Sequence, residues 1–221
     1  MENTSKALLM AGGVLIALLV VSLLVYFYSD LKDLMGINDK VETTEQIEEF
    51  NKQYDAYYRN NLYGSDILSI VNKVYDYNKR QANDQGYQNL ELQVTFKNNY
   101  TDYDNNLVIS KKTVYNAETL KQIVDDIQDK IDAYTTKPVV VKGNTITIAA
   151  LSGYRTNELE DFLQRNEITS KTKIDQIEKD IARYTRHKSN LSSIKGKTFK
   201  AQNFEYDKKN GRIIKMIFVQ S

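Results

Sequence analysis

An uninterrupted apolar run at residues 7–28 constrains this chain more than any other feature. The run contains no charged residue and no proline, and Ser22 is its one clearly polar side chain. At about 1.5 Å of rise per residue, a helix of this length measures roughly 33 Å, which is enough to cross the hydrocarbon core of a membrane. A helix also satisfies every backbone polar group internally, as hydrocarbon requires. We therefore predict a single-pass transmembrane helix at 7–28, preceded by a short tail at 1–6.

The residues that flank the run predict an anchor that is retained. A cleaved signal peptide has a shorter apolar core and small residues at its cleavage site, whereas this run ends in three aromatic residues at 26–28, which are typical of a membrane interface. Basic residues hardly distinguish the two sides, because Lys6 precedes the run and Lys32 and Lys40 follow it. A long folded remainder such as 29–221 is commonly external in a signal-anchor protein. We therefore expect a bacterial cell-membrane protein whose C-terminal domain lies outside the cytoplasm.

Small residues recur within the apolar run and suggest a contact between two membrane helices. A small-xxx-small spacing lets two helices approach closely in a bilayer. Glycine and alanine are also common in spans in general, and this is the simpler explanation. The candidate residues for a helix–helix contact in the membrane are Ala7, Ala11, Gly13 and Ala17.

Composition and motifs argue against several kinds of chemistry. The chain has no cysteine, which removes disulfides, thiolate catalysis and cysteine metal sites. It has no phosphate-binding loop, dinucleotide fingerprint, nucleophile elbow or metalloprotease helix. The one histidine, His187, has no carboxylate nearby in sequence to orient it, so we expect a surface histidine and not a general base. Six Asn or Asp residues at 98–106 predict a solvated turn, since their spacing does not match an EF-hand. We therefore predict no catalytic residue, no cofactor, no metal site and no enzyme activity.

Charge is balanced overall but is distributed unevenly along the chain. The formal net charge is +1, yet 30–66 carries nine acids and four bases, and 171–215 carries thirteen bases and five acids. If the domain is external, the basic part has anionic wall polymers, acidic lipid headgroups or the acidic stretch near 42–49 of the same or a neighbouring chain as candidate partners. A solvated helix face is the simpler interpretation, and an external position argues against nucleic acid. The candidate residues for contact with a polyanion or a partner are Arg183, Arg186, Lys188, Lys195, Lys197 and Lys200.

Hydrophobic periodicity after the run predicts one α+β head with an antiparallel sheet of four to six strands, packed with amphipathic helices. A capping box at Thr43 and Gln46 begins an amphipathic helix, interpreted as a stalk or a first docking helix. We assign 29–63 to a juxtamembrane connector with this stalk helix, and 64–221 to the head. Further helices are expected at 65–75, 116–134, 156–163 and 171–194. Strands are expected at 90–97, 107–109, 113–115, 139–141, 145–148, 199–206 and 212–219.

The last expected strand differs from the strand at 90–97. In the strand at 90–97, apolar and polar residues alternate, which is typical of an antiparallel sheet with one wet face. Both faces of the strand at 212–219 are apolar, so we expect a central or covered strand. The Asn-Gly pair at 210–211 predicts a hairpin between this strand and the strand that precedes it.

Three stretches carry a resemblance to a known group of proteins. They are MENTSKALLMAGGVLIALLVVSLLVYFY at 1–28, FNKQYDAYYRNNLYGSDILSIVNKVYDYN at 50–78 and NFEYDKKNGRIIKMIFV at 203–219. Together they resemble a family of bacterial single-pass envelope proteins associated with tight-adherence type pilus or secretion gene sets. The layout is also similar to pilins by analogy, although Lys6 is followed by alanine and not by the prepilin cleavage glycine, and the fifth-position glutamate is missing.

The resemblance and the absence of catalytic motifs together predict a membrane-anchored structural or assembly component of a cell-surface apparatus. Such a protein acts through contacts with other envelope or pilus-like proteins, self-association included. The alternative is a single-pass ligand-binding or sensing ectodomain, for example for an anionic surface polymer. That alternative predicts a concave pocket with convergent polar groups.

Overall fold

The computed structural model describes residues 12–13, 16–24, 26–27, 43–82 and 88–221. The chain folds as a mixed α+β protein, as predicted. Its helices are α1 Thr44–Asp55, α2 Gly64–Asp76, α3 Ala117–Thr136, α4 Ile148–Leu151, α5 Thr156–Arg165 and α6 Lys171–Gly196, with a π-helical turn Tyr77–Ala82 after α2. Its strands are β1 Leu62–Tyr63, β2 Glu91–Thr95, β3 Tyr100–Thr101, β4 Leu107–Ile109, β5 Val114–Tyr115, β6 Pro138–Val141, β7 Asn144–Thr147, β8 Thr198–Tyr206 and β9 Ile213–Gln220.

The predicted membrane span lies only partly within the described residues. Its described parts, at 12–13, 16–24 and 26–27, are helical. Over the part of the chain that the structure describes, no helix has the length and hydropathy needed to cross a membrane. Of the candidate helix-contact residues, Gly13 and Ala17 lie on described helical positions. Ala7, Ala11, the tail at 1–6 and the connector at 29–42 lie outside the described residues.

The main sheet has five strands in the order β1-β8-β9-β2-β5. β9 is its central strand, which confirms the expectation drawn from the two apolar faces of that strand. The expectation of an antiparallel sheet is wrong for one pair, because β2 and β9 run parallel, with Leu92 opposite Met216 and Val94 opposite Phe218. The chain between these strands passes through four helices and six further strands. A connection of that length can bring β9 back parallel to β2. No local turn signal in the sequence determines whether this pair is parallel or antiparallel.

Two small sheets accompany the main one. β3 pairs with β4, and β6 pairs with β7 in the hairpin that was predicted around Lys142 and Gly143. These two turn residues have φ of 45° and 77°. Positive φ at both central residues is the type I′ geometry whose twist suits a two-residue hairpin, and glycine adopts it without a steric penalty.

The helices cover one face of the main sheet. On this face Leu92, Val94, Met216 and Phe218 are buried, together with most of the apolar residues of α2, as the amphipathic pattern predicted. The other face is open to solvent to a larger extent. One row across this open face runs through the paired positions Lys200, Val219, Thr95 and Val114.

The start of α2 lies directly against the end of α6. The backbone N–H of Gly64 donates to the carbonyl oxygen of Lys197 at 2.7 Å. A Cβ atom on Gly64 would lie 1.8 Å from the carbonyl oxygen of Ile194, so only glycine fits here. This approach holds the end of α6 beside the edge where β1 joins β8.

The helix α1 is docked on the body of the protein. It begins with the predicted capping box, in which the Gln46 N–H donates to Thr43 Oγ1 and the Thr43 N–H donates to Gln46 Oε1. Its residue Asn51 donates through Nδ2 to the Gly211 carbonyl and accepts from the Ile213 N–H through Oδ1, both at 2.9 Å. These two bonds fasten α1 to the hairpin between β8 and β9.

An aromatic cluster completes this docking. The guanidinium carbon of the buried Arg212 lies 3.8 Å from the ring centroid of Phe50, which in turn packs against Tyr54 and Tyr77. Burial raises the pKa of Tyr54 to about 12, so its hydroxyl remains neutral at physiological pH. The cation lies over a ring face, as in a cation–π contact.

Candidate interaction surface

Six lysines gather at one end of the main sheet, which we call the lysine end. α6 stops at Gly196, so Lys195 lies in its last turn and Lys197 precedes β8. Lys200 lies on the open face opposite Val219. The remaining lysines are placed by loops that meet at the same end. The lysine end comprises Lys97, Lys111, Lys112, Lys195, Lys197 and Lys200.

Backbone hydrogen bonds hold the loops of the lysine end. The N–H of Lys97, just after β2, donates to Oε1 of the buried Gln220 at 2.7 Å. The N–H of Lys112 donates to the Phe96 carbonyl at 2.8 Å, and the N–H of Lys111 donates to Asn99 Oδ1 at 2.7 Å. Since neighbouring strands lie about 4.8 Å apart, lysines from β2, β8 and the loop before β5 share one rim.

The six ammonium groups are free of ion pairs within the part of the chain that the structure describes. All six residues are exposed, and none forms an ion pair with another described residue. The neighbouring Asp66 pairs instead with Arg59 at 3.3 Å. The rim is therefore a concentrated positive surface. Lys195 lies in the last turn of α6, where the helix dipole stabilises its positive charge.

A negative surface lies on α1. Glu45, Glu48, Glu49 and Asp55 share its solvent-facing side with Lys52, and they line an open depression of about 680 Å³. All four carboxylates belong to exposed residues, and within the described ranges none of them forms an ion pair. We call these four carboxylates the acidic face of α1.

The two surfaces lie at opposite ends of the sheet. The acidic face belongs to α1, which is fastened to the β8–β9 hairpin by Asn51. The lysine end lies where β8 begins and β9 ends. β8 has nine residues, so the ends are separated by roughly 30 Å at about 3.3 Å per residue. The body of the protein is thus electrically polar along its strands.

The basic residues predicted from sequence separate into two groups. Lys195, Lys197 and Lys200 belong to the lysine end. Arg183, Arg186 and Lys188 lie further back on α6 and form no common surface with it. No local pattern in the sequence points to Lys97, Lys111 and Lys112, because only the pairing of β2 with β5 and β9 brings them to the rim.

The two arginines on α6 contact β3 and the loop that follows it. Arg186 donates through Nε to the Thr101 carbonyl at 3.0 Å and through Nη2 to Thr101 Oγ1 at 2.7 Å. Arg183 lies 3.5 Å from Asp104, whose charge raises the pKa of the guanidinium, and over the ring of Tyr103. The two guanidinium groups are therefore engaged in contacts within the protein, with Thr101 and Asp104.

The prediction of a surface position for His187 is wrong, because the residue is buried. Tyr184, His187, Leu191 and Ile194 form a stripe of spacing 3, 4, 3 that packs into the protein, and this spacing was visible in the sequence. The His187 ring stacks on Tyr134 with centroids 6.5 Å apart and planes inclined by 18°. Nδ1 has no hydrogen-bond partner in the described structure.

The surroundings of His187 favour its neutral form. Burial is the main cause of a lowered pKa, and the positive charge of Lys130 adds to it. Asp102 and Asp126 act in the opposite direction, and Arg183 acts with Lys130. No carboxylate within the described residues hydrogen-bonds to the ring, so the arrangement lacks the orienting partner that a general base needs.

A second open depression lies beside α5, with a volume of about 580 Å³. Its wall includes Tyr154, whose ring lies 4.9 Å from that of Phe162. Two of its polar side chains serve the ends of the helix, since Glu158 accepts from the Arg155 N–H and Asn166 donates to the Phe162 carbonyl. Three potential metal ligands of the His, Cys, Asp or Glu type come together nowhere in the described ranges.

No family model, curated protein or solved structure matches this chain. The resemblance of 1–28, 50–78 and 203–219 to envelope proteins of tight-adherence type gene sets therefore stays a prediction. The function has to be argued from the charged surfaces and the apolar segment themselves.

Proposed function

We propose that this protein is a membrane-anchored structural or assembly component of a bacterial cell-surface apparatus, which acts through protein–protein contacts. The observation that carries the proposal is the exposure of the apolar helical segment. The segment provides attachment, and the docked α+β head provides the contact surfaces.

The apolar segment has no protein partner over its described side chains. Its large apolar residues are between 44% and 66% exposed. Burying one such side chain is worth about 1.5–3 kcal/mol, so leaving a row of them in water is unfavourable. A bilayer removes this cost. The exposed row consists of Ile16, Leu18, Leu19, Val20, Val21, Leu23, Leu24, Tyr26 and Phe27.

The polar side chain within the segment is compatible with hydrocarbon. Ser22 donates its hydroxyl to the carbonyl oxygen of Leu18 at 2.8 Å. A hydroxyl that is hydrogen-bonded within its own helix keeps this bond in the membrane, so it avoids the cost of burying an unpaired polar group. The segment therefore fits a lipid environment along its described length.

The head supports a role in contacts because α1 is fixed to it. Asn51 and the aromatic cluster around Arg212 hold α1 on the hairpin. The acidic face is therefore presented on a rigid element and not on a swinging stalk. Rigid presentation lowers the entropic cost of forming an interface.

A second candidate function is an ectodomain that binds an anionic surface polymer. The lysine end favours it, because six exposed ammonium groups on one rim, none of them paired with a described residue, attract phosphate or carboxylate chains. An assembly component and a polymer-binding ectodomain share the anchor but differ in the partner that the head engages.

The proposal is tested by membrane retention combined with cross-linking in cells. Full-length protein is expected in the membrane pellet after an alkaline carbonate wash. A Leu18→Lys, Val21→Lys variant is expected in the supernatant, because each lysine near a helix centre costs about 2.5–3.5 kcal/mol on insertion. A Leu18→Ala, Val21→Ala variant is the matched control and should remain in the pellet.

Cross-linking supplies the second arm of this test. In-cell cross-linking is expected to trap the head with envelope proteins or with other copies. The proposal would be abandoned if the wild-type chain were extracted by carbonate. It would also be abandoned if deletion left surface filaments and secretion intact while cross-linking found no envelope partner.

A further inference from the structure

The lysine end and the acidic face of α1 are complementary surfaces on one molecule. The first offers six exposed ammonium groups and the second four exposed carboxylates. Within the described residues, neither the six lysines nor the four carboxylates form an ion pair, and Lys52 is the one basic residue among the carboxylates that line the depression. The separation of roughly 30 Å, set by the nine residues of β8, keeps the two surfaces of one head from meeting.

From this arrangement we propose that copies of the head associate head-to-tail, with the lysine end of one copy seated on the acidic face of α1 of the next. The inference rests on the proposed function, since it names a second copy of the chain as a partner of the head. The contact is heterologous, because two different surfaces meet, and such a contact extends into a row instead of closing a dimer.

A second copy fits the charges better than an arbitrary polyanion does. The acidic face is a helical row at positions 45, 48, 49 and 55, presented on an element that is fixed to the hairpin. Lysines supply mobile point charges that can adapt to such a row. The overall charge of the chain is only +1, so association neutralises both ends without accumulating charge.

The membrane anchor permits this contact between neighbours. The fifteen residues 29–43 reach at most about 50 Å when fully extended. A head on such a connector can lie with its strands along the membrane surface. Copies in one membrane then meet end to end.

The test uses two charge-reversal variants of the full chain in detergent micelles. The lysine-end variant carries Lys195→Glu, Lys197→Glu and Lys200→Glu. The acidic-face variant carries Glu45→Lys, Glu48→Lys and Glu49→Lys. Their circular dichroism spectra and melting curves are compared with wild type first, so that a loss of association is not confused with a loss of fold.

Sedimentation velocity over a range of concentrations then measures association. Wild type is expected to self-associate in 0.1 M salt and to weaken at least tenfold in 0.5 M salt, where screening is stronger. Each variant alone is expected to lose at least tenfold in association constant. An equimolar mixture of the two variants is expected to regain association, because the unchanged lysine end of the acidic-face variant then meets the unchanged acidic face of the lysine-end variant.

The matched control is a variant with Lys171→Glu, Lys173→Glu and Lys179→Glu. It changes the net charge by the same amount as the lysine-end variant, on exposed residues near the start of α6. It should associate as wild type does, because these residues lie outside both surfaces.

Several results would overturn the inference. One is self-association of either variant at the wild-type strength, which would place the contact in the apolar segment or elsewhere. Another is a mixture that stays monomeric. A third is a wild-type chain that stays monomeric while its lysine end binds long-chain polyphosphate or vesicles containing phosphatidylglycerol. None of these results changes the resistance of the membrane-bound protein to a carbonate wash. The head-to-tail contact can therefore be disproved without disproving the proposed function.

Discussion

Gly64 and Ile194 lie backbone against backbone, and a Cβ atom on Gly64 would be 1.8 Å from the Ile194 carbonyl oxygen. This contact joins the start of α2 to the end of α6. It also lies beside Lys195 and Lys197, so the shape of the lysine end depends on it. The backbone cannot yield here as the tip of a flexible side chain would.

We expect Gly64→Ala to be strongly destabilising. Overpacking commonly costs about 1–3 kcal/mol, and a clash with backbone belongs at or above the upper end of that range. Chemical denaturation of the full chain in detergent, followed by circular dichroism, measures the change. Gly196→Ala is the control, because nothing lies within 4 Å of a Cβ atom at that position, and it should change the free energy of unfolding by well under 1 kcal/mol.

We expect Asn51→Ala to loosen α1 from the hairpin. The substitution removes one donor and one acceptor, and leaves the Ile213 N–H and the Gly211 carbonyl without these partners. The cost is about 1–3 kcal/mol for each polar group left unsatisfied, and less where water reaches it. Hydrogen exchange should show faster exchange in α1 and in the hairpin. Gln53→Ala, on an exposed position of the same helix, should leave exchange there unchanged; equal effects of the two substitutions would contradict the docking role of Asn51.

We expect acidification to destabilise the protein through His187. Burial lowers the pKa of His187 in the folded protein, so the unfolded chain takes up the proton at a higher pH. Stability is therefore complete above the unfolded pKa near 6.5 and is lost as pH falls from there toward the folded pKa. The slope is at most about 1.4 kcal/mol per pH unit for one proton.

The measurement compares wild type with His187→Phe, which keeps an aromatic ring beside Tyr134. Denaturation free energies at pH 7.5 and pH 5.5 are expected to differ more for wild type than for the variant. Aspartates and glutamates titrate in both proteins, so the difference between the two slopes reports on His187 alone. Identical slopes would show that the histidine has the same pKa in the folded and unfolded states.

Local signals in the sequence predicted most elements of the fold. The capping box at Thr43 and Gln46, the Asn-Gly turn at 210–211 and the alternation in β2 each describe contacts within a few residues. The structure contains the expected helix, hairpin and strand at these places. The spacing that buries His187 was also local, but the absence of a carboxylate nearby in sequence led to a surface prediction.

Relationships between distant segments were not predictable in the same way. The parallel pairing of β2 with β9 depends on how the chain returns after more than a hundred residues, and no turn residue encodes it. The sequence therefore predicted only three of the six residues of the lysine end. Lys195, Lys197 and Lys200 lie together in sequence, whereas Lys97 and Lys112 join them only through strand pairing.

The proposed assembly role rests on a head that is displayed outside the cell by its anchor. The cysteine-free chain makes this directly measurable, since Lys209→Cys introduces a single thiol at an exposed position of the β8–β9 hairpin. Intact cells are treated with a membrane-impermeant maleimide and compared with permeabilised cells. Full labelling of the membrane-retained protein is expected in intact cells. Labelling that appears only after permeabilisation would place the head in the cytoplasm and contradict the proposed external position.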